Sequence, residues 1–373
     1  MEHSHGSKLN SALSQLGHDM HGNKTNEIPK LLPLVIITFY HNKRFSQRRR
    51  TTQLKKIGIV TTGGDAPGMN AAIRALTRIA ATENIQVLGF LRGWEGLMTN
   101  NFIQLTPRSV SGIIQLGGTI LHTHRTLEFE TREGVKKASQ TLSANKVNGL
   151  VVIGGDGSFR GGCDLMEETD ALIVGVPATI DNDVCGTEET IGFDTAVNTA
   201  VEEIDKIRDT AISHERIFVV EVMGRERGFL ALTVGITVGA EIILIPEKKL
   251  ALNEIFQTIK ENIARGKKSG IIVAAEGVGD NQALTREIQK NTNLEARLSI
   301  LGYAQRGGSP SARSRLLASL FADEAVRLLL DERGNRVVGL QKGKMTNSNL
   351  KESCHSKKPL DLSMLKLAEK LAT

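Results

Sequence analysis

The chain has 373 residues, ordinary apolar content, 37 glycines, few aromatics and three cysteines. That length accommodates two domains or one large α/β unit, and the composition excludes a disordered chain and argues for a glycine-loop α/β enzyme over a sandwich. The formal net charge of +6 does not indicate a nucleic-acid-binding core, because residues 1–53 hold eight Lys/Arg against three acidic residues and so carry +5 of it.

Residues 1–53 also hold five of the nine histidines and little amphipathic periodicity. Their one apolar run, residues 31–40, is interrupted by Pro33 and falls far short of the ~20 residues that a bilayer span needs. The basic cluster Arg48, Arg49, Arg50 follows this run, whereas a secretory signal carries its charge ahead of it. A transit peptide stays open, although such segments usually avoid acidic residues, and so does a tail for a membrane surface or a nucleic acid. The composition favours a disordered or mis-assigned leader over residues 1–54. Cys163, Cys185 and Cys354 form no CxxC and are odd in number, which is simplest in a reduced, cytoplasmic compartment.

From Lys55 the pattern becomes regular. Ile57, Gly58, Ile59 and Val60 predict a short strand, Thr61 to Asn70 a glycine loop, and the alanine-rich residues 70–81 a helix. Glycines let backbone approach a phosphate, and the helix N-terminus adds a positive dipole end. The loop carries neither GxGxxG nor Gly-Lys-Ser/Thr, so a plain βα turn stays open at this point. Residues 150–153 predict the next strand, ending in Gly154-Gly155-Asp156-Gly157-Ser158. Residues 172–176 predict a buried parallel strand, followed by Pro177-Ala178-Thr179-Ile180-Asp181-Asn182-Asp183. Asp181 and Asp183 are spaced i, i+2 and would lean the same way in an extended segment; an Asx-rich turn without chemistry is the alternative. Residues 194–209 predict an amphipathic helix with Val197, Ala200, Val201, Ile204 and Ile207 on one side. Four more strands, at residues 217–222, 241–245, 271–275 and 298–301, end in polar or glycine-rich residues. Seven strands alternating with helices imply a mainly parallel sheet with helices on both faces and one shared crevice at the carboxyl ends of the strands.

Phosphoryl transfer needs backbone amides on phosphates, a metal-binding carboxylate, a base for the acceptor hydroxyl and cations for the developing charge. Gly63–Gly64 and residues 154–158 can cradle phosphates, and Asp156 is placed to reach a magnesium ion. Asp181 is a candidate base, Arg125 and Arg225 candidate charge stabilisers, and Arg216, Arg297 and Arg306 candidate phosphate grips, each arginine set against an ordinary solvated role.

Residues 55 to about 345 resemble the bacterial-type ATP-dependent 6-phosphofructokinases. The resemblance rests on Thr62-Gly63-Gly64-Asp65-Ala66-Pro67-Gly68-Met69-Asn70, Gly154 to Ser158, Pro177 to Asp183, Val222-Met223-Gly224-Arg225 and Gln305-Arg306-Gly307-Gly308-Ser309-Pro310, taken together and in order. It implies two Rossmann-like lobes with mainly parallel sheets and the active site between them: residues 55–192 with 305–355 binding nucleotide, residues 193–304 with 356–373 binding sugar phosphate. It implies phosphoryl transfer from Mg-ATP to the 1-hydroxyl of fructose 6-phosphate, with Asp181 as base, Thr179 orienting the sugar, and Asp156 and Asp183 supporting Mg2+. Gly64, Arg125 and Arg225 would serve the transferred phosphoryl group. Trp94, Thr126, Gly155, Gly157 and Ser158 join the nucleotide site, with Trp94 stacking on the base. Met223, Gly224, Glu276, Tyr303 and Arg306 join the sugar site.

Arg216 and Arg297 match residues that reach into a neighbouring subunit's site, so the resemblance implies an oligomer, usually a homotetramer. Arg74, Arg78, Arg208, Glu241, Arg265 and Lys267 match an effector site for ADP and phosphoenolpyruvate. Small residues at Gly157 and Ala178 favour ATP over pyrophosphate, since the pyrophosphate-dependent relatives typically carry Asp and Lys there. Four positions depart from the common pattern: Tyr303 for a histidine, Trp94 for a tyrosine, Glu130 for an arginine and Pro107 for an effector-site arginine. A pyrophosphate-dependent enzyme and a catalytically weak regulatory member are the alternatives.

Overall fold

The computed structural model describes residues 54–372. The leader, its apolar run and its basic cluster lie outside the described residues. The chain order is β1 (Lys56–Thr61), α1 (Met69–Thr82), β2 (Gln86–Phe90), α2 (Trp94–Met98), β3 (Phe102–Leu105), α3 (Arg132–Ala144), β4 (Gly149–Gly154), α4 (Asp156–Met166), β5 (Leu172–Thr179), β6 (Ile191–Gly192), α5 (Phe193–His214) and β7 (Ile217–Val222). It continues with α6 (Phe229–Thr237), β8 (Ile242–Leu244), α7 (Leu252–Ala264), β9 (Gly270–Ala275), α8 (Asn281–Thr292), β10 (Ala296–Ile300), α9 (Ala312–Leu330), β11 (Arg336–Gln341), β12 (Lys344–Asn349), α10 (Leu350–His355) and α11 (Ser363–Leu371).

The strands form two sheets. The larger runs β12-β11-β5-β4-β1-β2-β3, with β6 continuing beside the end of β5; the smaller runs β10-β7-β9-β8. The smaller sheet is wholly parallel, and the larger one is parallel except where β3 and β12 fold back on β2 and β11. Every residue of β4 is buried, as expected for a β-branched run covered by helices on both faces. Register places Thr61 beside Ile153 and Gly154 beside Pro177, so the loops leaving β1, β4 and β5 emerge side by side.

One continuous apolar cluster joins β1, β4 and β5 through α1, α5 and α9 to β7 and β9 of the smaller sheet. A second lies on the opposite face of the larger sheet beneath α2, α3, α4 and α10, and a third joins the smaller sheet to α7 and α8. Phe321 of α9, fully buried in the first cluster, shows the scale: truncating such a ring to alanine costs about 3–5 kcal/mol. Helix α5 buries Val197, Ala200 and Ile204, half-buries Val201 and Ile207, and runs five residues past the predicted end. It stops where Glu215 turns left-handed, with φ 53°. Gly68 begins α1 with φ 110°, and a Cβ there would lie 2.6 Å from Ile191, so only glycine allows this helix to start against β6.

Five strands were not predicted. Gly89 interrupts β2, where a Cβ would sit 2.6 Å from Leu121; β3 leaves Ile103 exposed; β6 has two residues; and β12, a polar edge strand, pairs with β11 in a hairpin. Beyond β5, residues 180–183 are not the extended segment that the i, i+2 reading assumed. They turn, with Asn182 left-handed at φ 51°.

Candidate active site

A cleft of ≈ 780 Å³ opens where the loops after β1, β4 and β5 meet Arg225 and Arg306 from the elements of the smaller sheet. Its floor is tied together by hydroxyls. Ser158 Oγ donates to Thr62 O at 2.9 Å, joining the two glycine loops, and Thr123 Oγ1 donates to Gly63 O at 2.8 Å. Gly154 permits this closeness, since a Cβ there would lie 2.6 Å from Thr62 O. Asp156 opens α4, so its carboxylate shares the helix N-terminus with the free amides of the first turn.

Asp181 is 3% exposed. Its amide donates to Thr179 Oγ1 at 3.2 Å, its Oδ2 lies 3.3 Å from Arg225 Nε, and its Oδ1 has no hydrogen-bond partner. Burial first, then the neighbouring Asp183 carboxylate, pushes its pKa up to about 6, against the pull of Arg225 and Arg306. Burial likewise raises Asp156, opposed by Arg160, whose Nη2 lies 2.5 Å from Asp156 Oδ2, and assisted by Asp183. All three carboxylates line the one cleft.

On the opposite wall, Arg225 is left-handed with φ 52°. Glu276 Oε1 accepts from the amides of Gly224 and Arg225, at 3.2 and 2.6 Å. Gln305 Oε1 accepts from Met223 N at 3.0 Å. Arg306 reaches over Gly64, with Nη1 3.3 Å from the position of an added Cβ, and its other flank packs on the Tyr303 ring at 5.3 Å. A buried carboxylate, two guanidinium groups and two glycine loops around one cleft are the kinds of parts that phosphoryl transfer uses.

The phosphofructokinase family model matches residues 56–329. The chain belongs to this family. The ATP-dependent 6-phosphofructokinase of Oceanobacillus iheyensis is 48% identical over 319 residues, 86% of this chain and 100% of the relative. ATP-dependent 6-phosphofructokinase 1 of Thermus thermophilus is 48% identical over 321 residues, again 86% and 100%. The solved phosphofructokinase of Saccharomyces cerevisiae superposes with a TM-score of 0.76 at 33% identity, covering 85% of this chain and 48% of that one. This chain thus spans about half the length of the yeast chain.

Among the residues singled out in this phosphofructokinase, the cleft gathers Gly64, Trp94, Arg125, Thr126, Gly155, Asp156, Gly157, Ser158, Thr179, Asp181, Asp183, Arg225 and Arg306. Others stand apart. Met223, Gly224 and Glu276 are not in the cleft lining, and Glu276 spends one carboxylate oxygen on the backbone of the Arg225 loop. Tyr303 is 77% exposed outside the cleft lining. Arg216 and Arg297 both pair with Glu295. They sit at the amino-terminal ends of β7 and β10, whereas ligands gather at carboxyl ends, so within this chain they do not enter the cleft. Trp94 lines the cleft, but its ring is stacked on Phe129 at 4.3 Å and only 6% exposed, so a protein ring already occupies the stacking role expected of a nucleotide base.

Of the proposed effector residues, Lys267 lies 3.7 Å from Glu241 and donates to Ala372 O at 2.8 Å, and Arg208 donates to Val238 O. Arg78 donates to the carbonyl of Pro107 at 3.4 Å. Among the described residues no hydrogen bond or ion pair joins Arg74, Arg78 or Arg265 to that group. Ala178 is fully buried in the core, whereas a side chain added at Gly157 would meet nothing within 4 Å.

The carboxylates of the cleft suit a hard divalent cation, and an ion near Asp156 and Asp183 would relieve their mutual repulsion. Among the described residues no three His, Cys, Asp or Glu side chains are grouped to hold a metal by themselves, which leaves the remaining positions to substrate oxygens and water. Residues to which the sequence reading gave no role in the site include Arg160, Gln305 and Lys358. The i, i+4 spacing of Asp156 and Arg160 on one helix was the available signal for the first.

Proposed function

We propose that this phosphofructokinase transfers the γ-phosphoryl group of Mg-ATP to the 1-hydroxyl of fructose 6-phosphate, giving fructose 1,6-bisphosphate and ADP. The observation that carries the reading is Asp181: a buried carboxylate with a free oxygen, facing an arginine and two glycine loops. Ionised Asp181 accepts the hydroxyl proton as the sugar oxygen bonds to phosphorus and the bond to the β-phosphate oxygen breaks. Arg225 and Arg125 carry the charge that spreads over the phosphoryl oxygens, and the Gly64 amide is a further donor. Thr179 orients the sugar, while Met223, Gly224, Glu276, Tyr303 and Arg306 make up its site. Asp156 and Asp183 would hold Mg2+, which when bound neutralises phosphate charge.

Open space beside Gly157 supports ATP as donor, as do the bacterial relatives. We assign residues 55–192 with 305–355 to nucleotide binding and residues 193–304 with 356–373 to sugar-phosphate binding, a division that follows the two sheets. Arg216 and Arg297 would complete a neighbouring subunit's site in a homotetramer. Glu241, Lys267, Arg208, Arg265, Arg74 and Arg78 would form an effector site for ADP or phosphoenolpyruvate. Among the described residues no helix is long and apolar enough to cross a membrane, which agrees with a cytoplasmic enzyme.

A coupled assay of ADP release with ATP, magnesium and fructose 6-phosphate tests the reading. Sustained turnover is expected. Faster turnover with pyrophosphate, or sugar binding without turnover, would overturn it.

A further inference from the structure

Lys358 belongs to the segment between α10 and α11 and lies 176 residues from Asn182 in sequence. Its half-buried ammonium donates to Asn182 Oδ1 at 2.9 Å and to Glu188 O at 3.0 Å, and sits 4.9 Å from the centre of the Phe229 ring. Its own carbonyl accepts from Arg227 Nη2. Arg227 is two residues beyond Arg225, and Phe229 opens α6. One residue therefore grips the turn after β5 with its side chain and the loop after β7 with its main chain.

Asn182 is where such a grip matters. It stands between Asp181 and Asp183 in left-handed backbone, which asparagine adopts more readily than other side chains but which still needs holding. Its side chain is buried, with Nδ2 donating to Glu188 O at 3.1 Å and Oδ1 taking the Lys358 ammonium and, at 3.4 Å, Thr190 Oγ1. Without Lys358, Oδ1 would keep only the long contact to Thr190, in a place where an unmet buried acceptor is costly. The turn would then relax, carrying Asp181 with it.

We propose that Lys358 is a positioning residue for phosphoryl transfer, holding the Asp181 turn against the Arg225 loop so that base and charge stabiliser face each other across the cleft. This rests on the roles given to Asp181 and Arg225 under the proposed function. Wild-type turnover tests those roles, and the Lys358 variants test this one.

K358M keeps the stem but cannot donate; K358R keeps charge and donors. Misplacing reacting groups by about 1 Å costs on the order of 10²-fold, so K358M should lower kcat about 10–100-fold and leave both KM values within about threefold. K358R should regain most of the loss. In an N182A background K358M should cost less than about threefold, because the contact is already gone. Hydrogen exchange of the amides in residues 180–190, measured on the full chain without substrates, should quicken about tenfold or more in K358M, a readout that does not depend on turnover. Wild-type kcat with unchanged exchange in K358M would overturn the proposal. So would losses that multiply in full in the double variant, or a loss that K358R does not lessen. If K358M does not fold, K358Q is read by the same criteria.

Discussion

Two non-glycine residues take nearly the same left-handed backbone on opposite walls of the cleft, Asn182 at φ 51° and Arg225 at φ 52°. They are held in opposite ways. Asn182 is locked through its buried side chain, by Glu188, Thr190 and Lys358. Arg225 is locked through its amide, by Glu276, while its side chain stays 46% exposed. The arrangement fits the two tasks proposed for Asp181 and Arg225. A base must meet one proton at one place, so the turn that carries it is pinned from all sides. A guanidinium that follows charge as it moves between oxygens is better anchored at its root and free at its tip.

The largest effect expected is at the pinned wall. Asp181→Asn should lower kcat by about 10²–10⁴, the range for a general base, in the coupled assay. The same change should stabilise the unliganded protein. The Asp181 pKa is raised from 3.8 to about 6 in the folded chain, so its contribution to stability is full below the unfolded pKa and is lost as pH rises through about 6. Above that, removing the charge should add on the order of 3 kcal/mol, with a raised melting temperature at about pH 8 and little change at about pH 4. A variant that loses activity without gaining stability at about pH 8 would mean that Arg225 already offsets the burial.

At the loosely held wall, Arg225→Ala should cost about 10²–10³ in kcat. It should also move the acid limb of kcat/KM. Activity rises as Asp181 ionises, and Arg225 holds the Asp181 pKa down, so its loss should shift that limb to higher pH. A limb that stays in place would uncouple the two walls. Glu276→Ala should cost less, about tenfold in kcat, because it frees only the root of Arg225. A loss as large as that of Arg225→Ala would point to direct sugar contact by Glu276.

What the sequence disclosed follows the same division. Residues that line the cleft come in short runs at strand ends, so Gly155 to Ser158, Thr179 to Asp181 with Asp183, and Arg225 could be read together with the strands that present them. Helix α5 was legible from its apolar spacing, apart from its last turn. The clamps were not legible, because each joins distant stretches: Lys358 to Asn182 across 176 residues, Gln305 to Met223 across 82 and Glu276 to Arg225 across 51. No local pattern marks such pairs. The same holds for β12, whose polar edge matches no strand alternation, and for Asn182, whose turn the i, i+2 spacing of its neighbours concealed.

An effect on turnover no larger than that of Glu276→Ala should come from Asn182→Gly, which separates backbone from clamp. Glycine takes left-handed φ without strain, recovering about 1 kcal/mol, while the lost hydrogen bonds give up about 0.5–1.5 kcal/mol each. These terms oppose, so stability by denaturant melt should move by no more than about 1–2 kcal/mol. Turnover should still fall about tenfold, because the turn keeps its shape on average but no longer keeps it fixed. Wild-type turnover in Asn182→Gly would show that backbone conformation alone places Asp181, and the contrast between the two walls would then reduce to a difference in burial.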